Sequence, residues 1–161
     1  MTPLFTKLNL KDQPAMLVLN SPPSFAGELA GLSYVSIVQQ VSKISTIAFA
    51  IIFVRTVREV EVAAAKVLPK APGDPIIWFA YPKGTSKRFH CEFNRDTGWT
   101  AVQAAGFDTV RAVSIDQDWT GLRFRRVAFI KTTGSTAGTT AAKLKKTKQP
   151  APVENSDKVK L

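Results

Sequence analysis

An uncharged, strongly apolar run at residues 46–54 constrains the fold of this chain most. Its sequence, TIAFAIIFV, is rich in β-branched and aromatic residues. Such a run is typical of a central strand that is covered on both faces of a largely parallel sheet. Shorter apolar runs at residues 15–19 and 76–81 predict two further buried strands.

Helical patterns occupy the connections between these strands. Over residues 56–68, apolar side chains recur at three- and four-residue steps, which predicts an amphipathic helix. Thr56 and Glu59 match a capping box at its start. A shorter helix is predicted over residues 25–32, with Ser24 as its N-cap.

The sequence from about residue 94 to residue 130 predicts a helix followed by a β-hairpin. The helix runs from about residue 94 to residue 105, and strands follow at residues 107–115 and 119–130. In the last strand we expect Leu122, Phe124 and Val127 to face inward, and the arginine pair 125–126 indicates a bulge or an exposed face. Residues 34–38 predict an edge strand or a second strand. We therefore expect a three-layer, Rossmann-like α/β fold with a mostly parallel sheet and a C-terminal antiparallel hairpin. This strand order is similar to the last half of the methyltransferase-type Rossmann sheet, a similarity of topology alone.

Positive charge is concentrated near the C-terminus. The chain of 161 residues has a net charge of +10, and residues 131–161 hold seven of the 22 Lys and Arg but two of the 12 acids. Because this segment has few large apolar side chains, we predict one domain over residues 1–130 and a disordered basic tail over residues 131–161. The tail predicts either a solubilising role or weak, salt-dependent nucleic-acid contact through Lys143, Lys145, Lys146 and Lys148.

The chain lacks the residues that several common kinds of functional site require. The chain has one Cys and one His, too few for a disulfide framework or a multi-cysteine zinc site. It contains no GxGxxG and no GxxxxGK[ST] motif, and the turn after the first strand, NSPPS at residues 20–24, has prolines that remove amide donors. We therefore predict no cofactor, no metal and no catalytic residue. No signal peptide or membrane-length apolar run is found, so a cytoplasmic location is expected.

Other chemistry-bearing residues favour structural interpretations. His90 and Cys91 are adjacent, and neighbours in an extended segment point to opposite faces, so they do not form a nucleophile–base pair. Asp116 and Asp118 could bind a divalent cation or act as acid and base. Their position between two predicted strands favours turn formation instead.

Polar and basic side chains follow two of the buried strands. Open α/β sheets bind ligands at the carboxyl ends of their strands, where loop amides and cations favour anions. We therefore predict an anion site that the β-hairpin could extend. The candidate residues are Asn20, Ser21, Lys83, Thr85, Ser86, Lys87, Arg88, Trp119 and Arg123.

Three motifs carry a family resemblance. They are LNSPPSF at residues 19–25, WFAYPKGTSK at residues 78–87 and IDQDWTGLRFR at residues 115–125. In this order they resemble a family of small bacterial proteins classed as a domain of unknown function, although Thr120 stands where the family usually has Ser. The resemblance covers nearly all of residues 3–130. It implies a bacterial cytoplasmic protein, but it brings no activity and no catalytic residues.

Three functional hypotheses follow. The leading one is a non-catalytic α/β domain that binds an anionic ligand or partner. The second, suggested by strand order, is a diverged methyltransferase-like enzyme. The third is a weak, non-specific nucleic-acid binder that acts through its basic tail.

Overall fold

The computed structural model describes residues 2–130, and the predicted basic tail with its four candidate lysines lies outside the described residues. One six-stranded sheet has the order β2-β1-β3-β4-β6-β5. Strand β6 runs antiparallel to both of its neighbours, and the pairs among the first four strands are parallel. This confirms the predicted α/β fold with a C-terminal antiparallel hairpin. The strands are β1 (Ala15–Leu19), β2 (Ser36–Val38), β3 (Phe49–Phe53), β4 (Ile76–Pro82), β5 (Phe107–Ser114) and β6 (Trp119–Arg126).

Within residues 2–130, four short or medium α-helices cover the sheet, and each face has its own hydrophobic core. They are α1 (Pro3–Lys7), α2 (Ala26–Ala30), α3 (Val57–Val67) and α4 (Thr100–Ala104). Helices α3 and α4 contribute Val60, Val67 and Val102 to one core. Helix α1 contributes Leu4 and Phe5 to the other. Every residue of β3 and β4 is buried, as expected for central strands covered on both faces.

The helix predicted from residue 94 is much shorter, because the chain first makes a side-chain-stabilised turn. Asn94 Oδ1 accepts a hydrogen bond from the Asp96 N–H at 2.8 Å. Gly98 then adopts φ +89°, and a Cβ there would lie 2.9 Å from the Phe93 side chain. A residue with a side chain would be strained in this conformation, so α4 begins only at residue 100.

Three smaller expectations are also wrong. Ser24 does not cap α2, because a 3₁₀ turn over Pro23–Phe25 leads directly into the helix. Val127 is 55% exposed rather than inward-facing, because β6 ends at Arg126 and a 3₁₀ turn follows. The register irregularity lies in β5 between Thr109 and Arg111, and the arginine pair 125–126 has neither a bulge nor an exposed face, since both residues are half-buried.

Helix α1 was not predicted from the sequence. It is only five residues long, too short for a periodic signal, and tertiary contacts hold it. The buried Trp78 of β4 donates from Nε1 to the Leu8 carbonyl at 2.9 Å, just after this helix. Within residues 2–130, no helix is long and apolar enough to cross a membrane.

Candidate functional site

The sheet has a topological switch point between β1 and β3. The chain passes from β1 to β2 on one side, and β3 then pairs with the other side of β1. Open α/β sheets bind ligands outside the carboxyl ends of the strands at such a point. Asn20, which follows β1, adopts the left-handed conformation with φ 60°. Its Nδ2 donates to the Phe53 carbonyl at 3.4 Å, which links the two strand ends.

A cavity of about 760 Å³ lies beside this switch point. Its volume is within the range of small-molecule sites, about 300–1,000 Å³. One of its cationic side chains is already hydrogen-bonded within the protein, because Lys70 Nζ donates to the Val41 and Ile44 carbonyls at 2.8 and 2.9 Å. The walls come from the end of β1, the segment after β2, and α3; they comprise Leu19, Asn20, Gln40, Val41, Ser42, Arg58, Glu59, Val62, Ala63, Lys66 and Lys70.

A second cavity, of about 270 Å³, borders the same strand ends, and three of its eight lining residues are aromatic. The Phe53 and Trp119 rings meet edge to face with centroids 5.1 Å apart, and the Phe89 and Trp119 centroids are 5.0 Å apart. The lining residues are Asn20, Pro22, Pro23, Phe53, Arg55, Glu59, Phe89 and Trp119. Asn20 and Glu59 therefore belong to both cavities.

Hydrogen bonds at the start of α3 fix the position of the Glu59 side chain. Its Oε1 accepts backbone N–H groups of Arg55 at 2.6 Å and Thr56 at 3.2 Å, while its own N–H donates to Thr56 Oγ1 at 3.0 Å. These bonds confirm the predicted capping box. Sequence reasoning treated the motif only as a helix start. The structure adds that this helix start follows β3 at the switch point, so a capping carboxylate lines both cavities.

The basic segment at residues 83–88 does not converge on the crevice. Lys83 Nζ donates to Ser114 Oγ at 2.7 Å, and the Lys83 N–H donates to the Asp118 carbonyl at 2.8 Å. Ser86 Oγ donates to Asp118 Oδ1 at 2.9 Å. The first half of the loop is therefore fastened to the turn between β5 and β6.

The remaining predicted site residues are also dispersed. Thr85, Lys87 and Arg88 are exposed, and Ser21 is half-buried; none of them lines either cavity. Arg123 lies on β6 outside both cavities, where burial lowers the pKa of its guanidinium. Its Nε has no hydrogen-bond partner among residues 2–130. Of the nine predicted residues, Asn20 and Trp119 both line the smaller cavity, and the other seven line neither cavity.

Sequence reasoning missed Phe89, which reaches the crevice from the same loop. Ser86 Oγ accepts N–H groups of Arg88 at 3.3 Å and Phe89 at 3.1 Å. This local turn carries Phe89 to Trp119. A serine that precedes an aromatic residue by three positions was the available signal, since serine hydroxyls commonly bond nearby backbone amides in turns.

The other chemistry-bearing residues are His90, Cys91 and Asp116. His90 is exposed and Cys91 half-buried, and burial raises the pKa of the Cys91 thiol, which disfavours the reactive thiolate. Asp116 Oδ1 accepts the N–H groups of Asp118 and Trp119 at 2.8 and 2.9 Å, the predicted turn role. Within the described residues, no group of three or more His, Cys, Asp or Glu could hold a metal ion.

No protein-family model matches this chain, and no curated protein matches it. Solved structures do match. The chain is similar to a SAM-dependent methyltransferase from Aquifex aeolicus, with 12% identity, coverage of 77% of this chain and 88% of that one, and a TM-score of 0.47. For a ribosomal protein L11 methylase from Lactobacillus delbrueckii subsp. bulgaricus, the identity is 8%, the coverage 76% of each chain and the TM-score 0.48.

A third similar structure is the magnesium protoporphyrin IX methyltransferase ChlM from Synechocystis PCC 6803 with bound SAM. Its identity is 14%, the coverage is 76% of this chain and 74% of that one, and the TM-score is 0.46. The chain spans 52% of the structure of the pyocyanin biosynthetic protein PhzM. At these identities the likeness concerns the fold alone.

The leading expectation, a non-catalytic domain that binds an anionic ligand or partner, is wrong. The structures that match this chain include several methyltransferases, and at identities of 12–16% they share its fold alone. The site geometry also argues against an anion site, because Lys83, Lys87 and Arg88 line neither of the two cavities.

Proposed function

We propose that this chain is a diverged methyltransferase-like enzyme that binds S-adenosylmethionine in the switch-point crevice. The observation that carries the proposal is the pair of cavities at the carboxyl ends of β1 and β3, which share Asn20 and Glu59. The sheet order supports it, since the insertion of antiparallel β6 between β4 and β5 reproduces the hairpin that ends a methyltransferase-type sheet.

The larger cavity fits the adenosyl part of this ligand. Leu19, Val41 and Val62 offer apolar surface for a base, and Gln40 and Ser42 offer an amide and a hydroxyl for ribose hydroxyl groups. When bound, S-adenosylmethionine supplies an electrophilic methyl group. The contribution of the chain is to bind the ligand and orient it beside the smaller cavity, where we place the acceptor.

The turn after β1 departs from the usual methyltransferase pattern. Pro22 and Pro23 have no N–H group, so the turn offers fewer backbone donors than a glycine-rich one. Asn20 nevertheless adopts the left-handed conformation that glycine most readily takes. We therefore expect side chains, rather than backbone amides, to bind the amino-acid part of the ligand.

Calorimetry with S-adenosylmethionine and S-adenosylhomocysteine tests the proposal. The full chain should bind at least one of them with a Kd between about 1 μM and 1 mM. Val62→Trp should abolish binding, because Val62 lines the larger cavity and is partly exposed. Ala65→Trp is the matched control, because Ala65 is an exposed residue of α3 outside both crevice cavities.

Two results would contradict the proposal. One is no heat from either ligand at high concentrations of folded wild-type protein. The other is equal binding by the Val62→Trp and Ala65→Trp variants.

A cytoplasmic location is a further part of the proposal, because a single cysteine cannot form an internal disulfide bond.

A further inference from the structure

We infer that the smaller cavity binds a planar, uncharged aromatic ring, which the proposed function identifies as part of the acceptor substrate. The cavity has three aromatic side chains, Phe53, Phe89 and Trp119, and two prolines in its walls. Such surfaces bind flat apolar groups by close contact and by release of water. The identity of the ring as acceptor rests on the proposed function, whereas the affinity of the cavity for a ring does not.

The size of the cavity suits one ring or a small bicycle. An apolar cavity of about 150 Å³ is large enough to bind benzene. The present cavity measures about 270 Å³. It therefore has room for a group such as indole, but it is too small for a whole nucleoside-containing ligand, which the larger cavity is able to hold.

The aromatic walls already meet one another in the geometries that aromatic rings prefer. Phe53 meets Trp119 at an interplanar angle of 80°, and Phe89 meets it at 50°. Aromatic groups prefer such edge-to-face and tilted contacts because the electropositive edge of one ring meets the electronegative face of another. A bound aromatic ring can extend this cluster, whereas a saturated ring of similar size has no such edge or face.

Charges around the cavity are balanced. Arg55 and Glu59 both line it, and Arg88 lies 5.5 Å above the Phe89 ring and 3.9 Å from the Asp118 carboxylate. Of these charged residues, only Arg55 and Glu59 line the cavity, and as one cation and one acid they leave its lining without a net charge that would recruit an ionic ligand. Because Arg88 already occupies a cation–π position at Phe89, a ligand ammonium group would meet electrostatic repulsion there.

Hydrogen bonds within the chain hold the wall made by Phe89. Asp118 accepts the Ser86 hydroxyl, and the same hydroxyl accepts the Phe89 N–H. Asp118 lies one residue before Trp119, so a single turn sets both aromatic walls. A wall that is already ordered reduces the entropy cost of binding. Asp118 and Ser86 are therefore positioning residues for the cavity.

Nuclear magnetic resonance with indole as the probe tests this inference. The chain has three tryptophans, so a ¹⁵N-labelled sample gives three indole N–H signals, and Trp119→Phe identifies that of Trp119. Indole should shift the Trp119 signal saturably, with a Kd in the millimolar range or tighter. Cyclohexanol and benzyltrimethylammonium should bind at least about five-fold more weakly.

Matched phenylalanine variants locate the site. Phe89→Ala should weaken indole binding about ten-fold, because it removes one wall, and Phe89→Leu should weaken it less. Phe129→Ala is the control, since Phe129 is exposed and lies outside the cavity. No saturable shift in folded wild-type protein, or equal losses in Phe89→Ala and Phe129→Ala, would overturn the inference, as would preferential binding of the ammonium or saturated probe.

The two proposals fail separately. Indole binding without binding of either adenosyl ligand would keep the ring site and overturn the proposed function. Adenosyl binding with no response to indole would do the reverse. Both measurements use the full chain, so indole binding and adenosyl-ligand binding are compared on the same protein.

Discussion

Replacing Asp118 with alanine should destabilise the protein and loosen the aromatic wall of the smaller cavity. Asp118 is 7% exposed, the one charged residue within the described chain that is classed as buried. Its carboxylate accepts the Ser86 hydroxyl at 2.9 Å. Its backbone carbonyl accepts the Lys83 N–H at 2.8 Å, and that bond survives the substitution. The side-chain link is therefore what the variant removes.

The expected loss in free energy of unfolding is about 2 kcal/mol. A hydrogen bond to a charged group contributes about 1.5–3 kcal/mol, and that range covers the Ser86 bond. The Arg88 pair adds little, because its nitrogen–oxygen distance is 3.9 Å and the arginine side chain is 60% exposed. Solvent screening leaves such a pair with about 0–0.5 kcal/mol.

Urea denaturation followed by tryptophan fluorescence measures this loss, and a double-mutant cycle with Ser86→Ala isolates the link. The coupling energy between Asp118 and Ser86 should be about 1 kcal/mol or more. Arg88→Ala is the control and should cost less than about 0.5 kcal/mol. Asp118→Ala should also weaken indole binding several-fold, since the Phe89 turn loses its anchor.

A coupling energy below about 0.3 kcal/mol would refute the reasoning, because Asp118 and Ser86 would then act independently. An equal cost for Arg88→Ala and Asp118→Ala would refute it in another way. The carboxylate would then act through the exposed ion pair rather than through the serine.

Three further outcomes are expected. Thr56→Ala should lower the free energy of unfolding by about 1 kcal/mol in urea titrations, because it breaks the capping box with Glu59; no loss would contradict a role for the cap. Arg125 donates from Nε and Nη2 to the two carboxylate oxygens of Asp74 at 2.9 and 2.7 Å, and these bonds lower the pKa of that carboxyl. Arg125→Ala should therefore cost about 0.5 kcal/mol above about pH 5, a difference that should fade as the pH falls through the lowered pKa; a pH-independent cost would exclude this linkage. Burial raises the pKa of Cys91, so iodoacetamide should alkylate it several-fold more slowly in folded than in urea-unfolded protein at about pH 7.5, and equal rates would contradict its protection.

Local sequence patterns predicted the strands well, because strong apolar runs have few alternatives to burial. Residues 15–19 form β1 as expected, and the core of the run at residues 46–54 forms β3. The capping box at Thr56 also forms as predicted, because both partners lie within one helical turn. Elements of this kind need no information from distant parts of the chain.

The loop at residues 83–99 could not be predicted in the same way. Its cations suggested an anion site, but Asp118 fastens the first half of the loop from more than thirty residues away. Its second half predicted a helix, yet Asn94 and Gly98 form turns before Trp99 packs into the core. Long-range hydrogen bonds and steric contacts decided both outcomes.

By itself, the sequence determined the α/β class, the central strands and the helix that follows β3, because apolar periodicity and capping are local properties. Only the tertiary structure decided which polar residues meet. It placed Asn20 and Glu59 together at the switch point and brought Phe89, rather than Lys83 or Lys87, to the crevice. Strand order and side-chain tethers set these positions, and neither is encoded in the spacing of residues along a single segment.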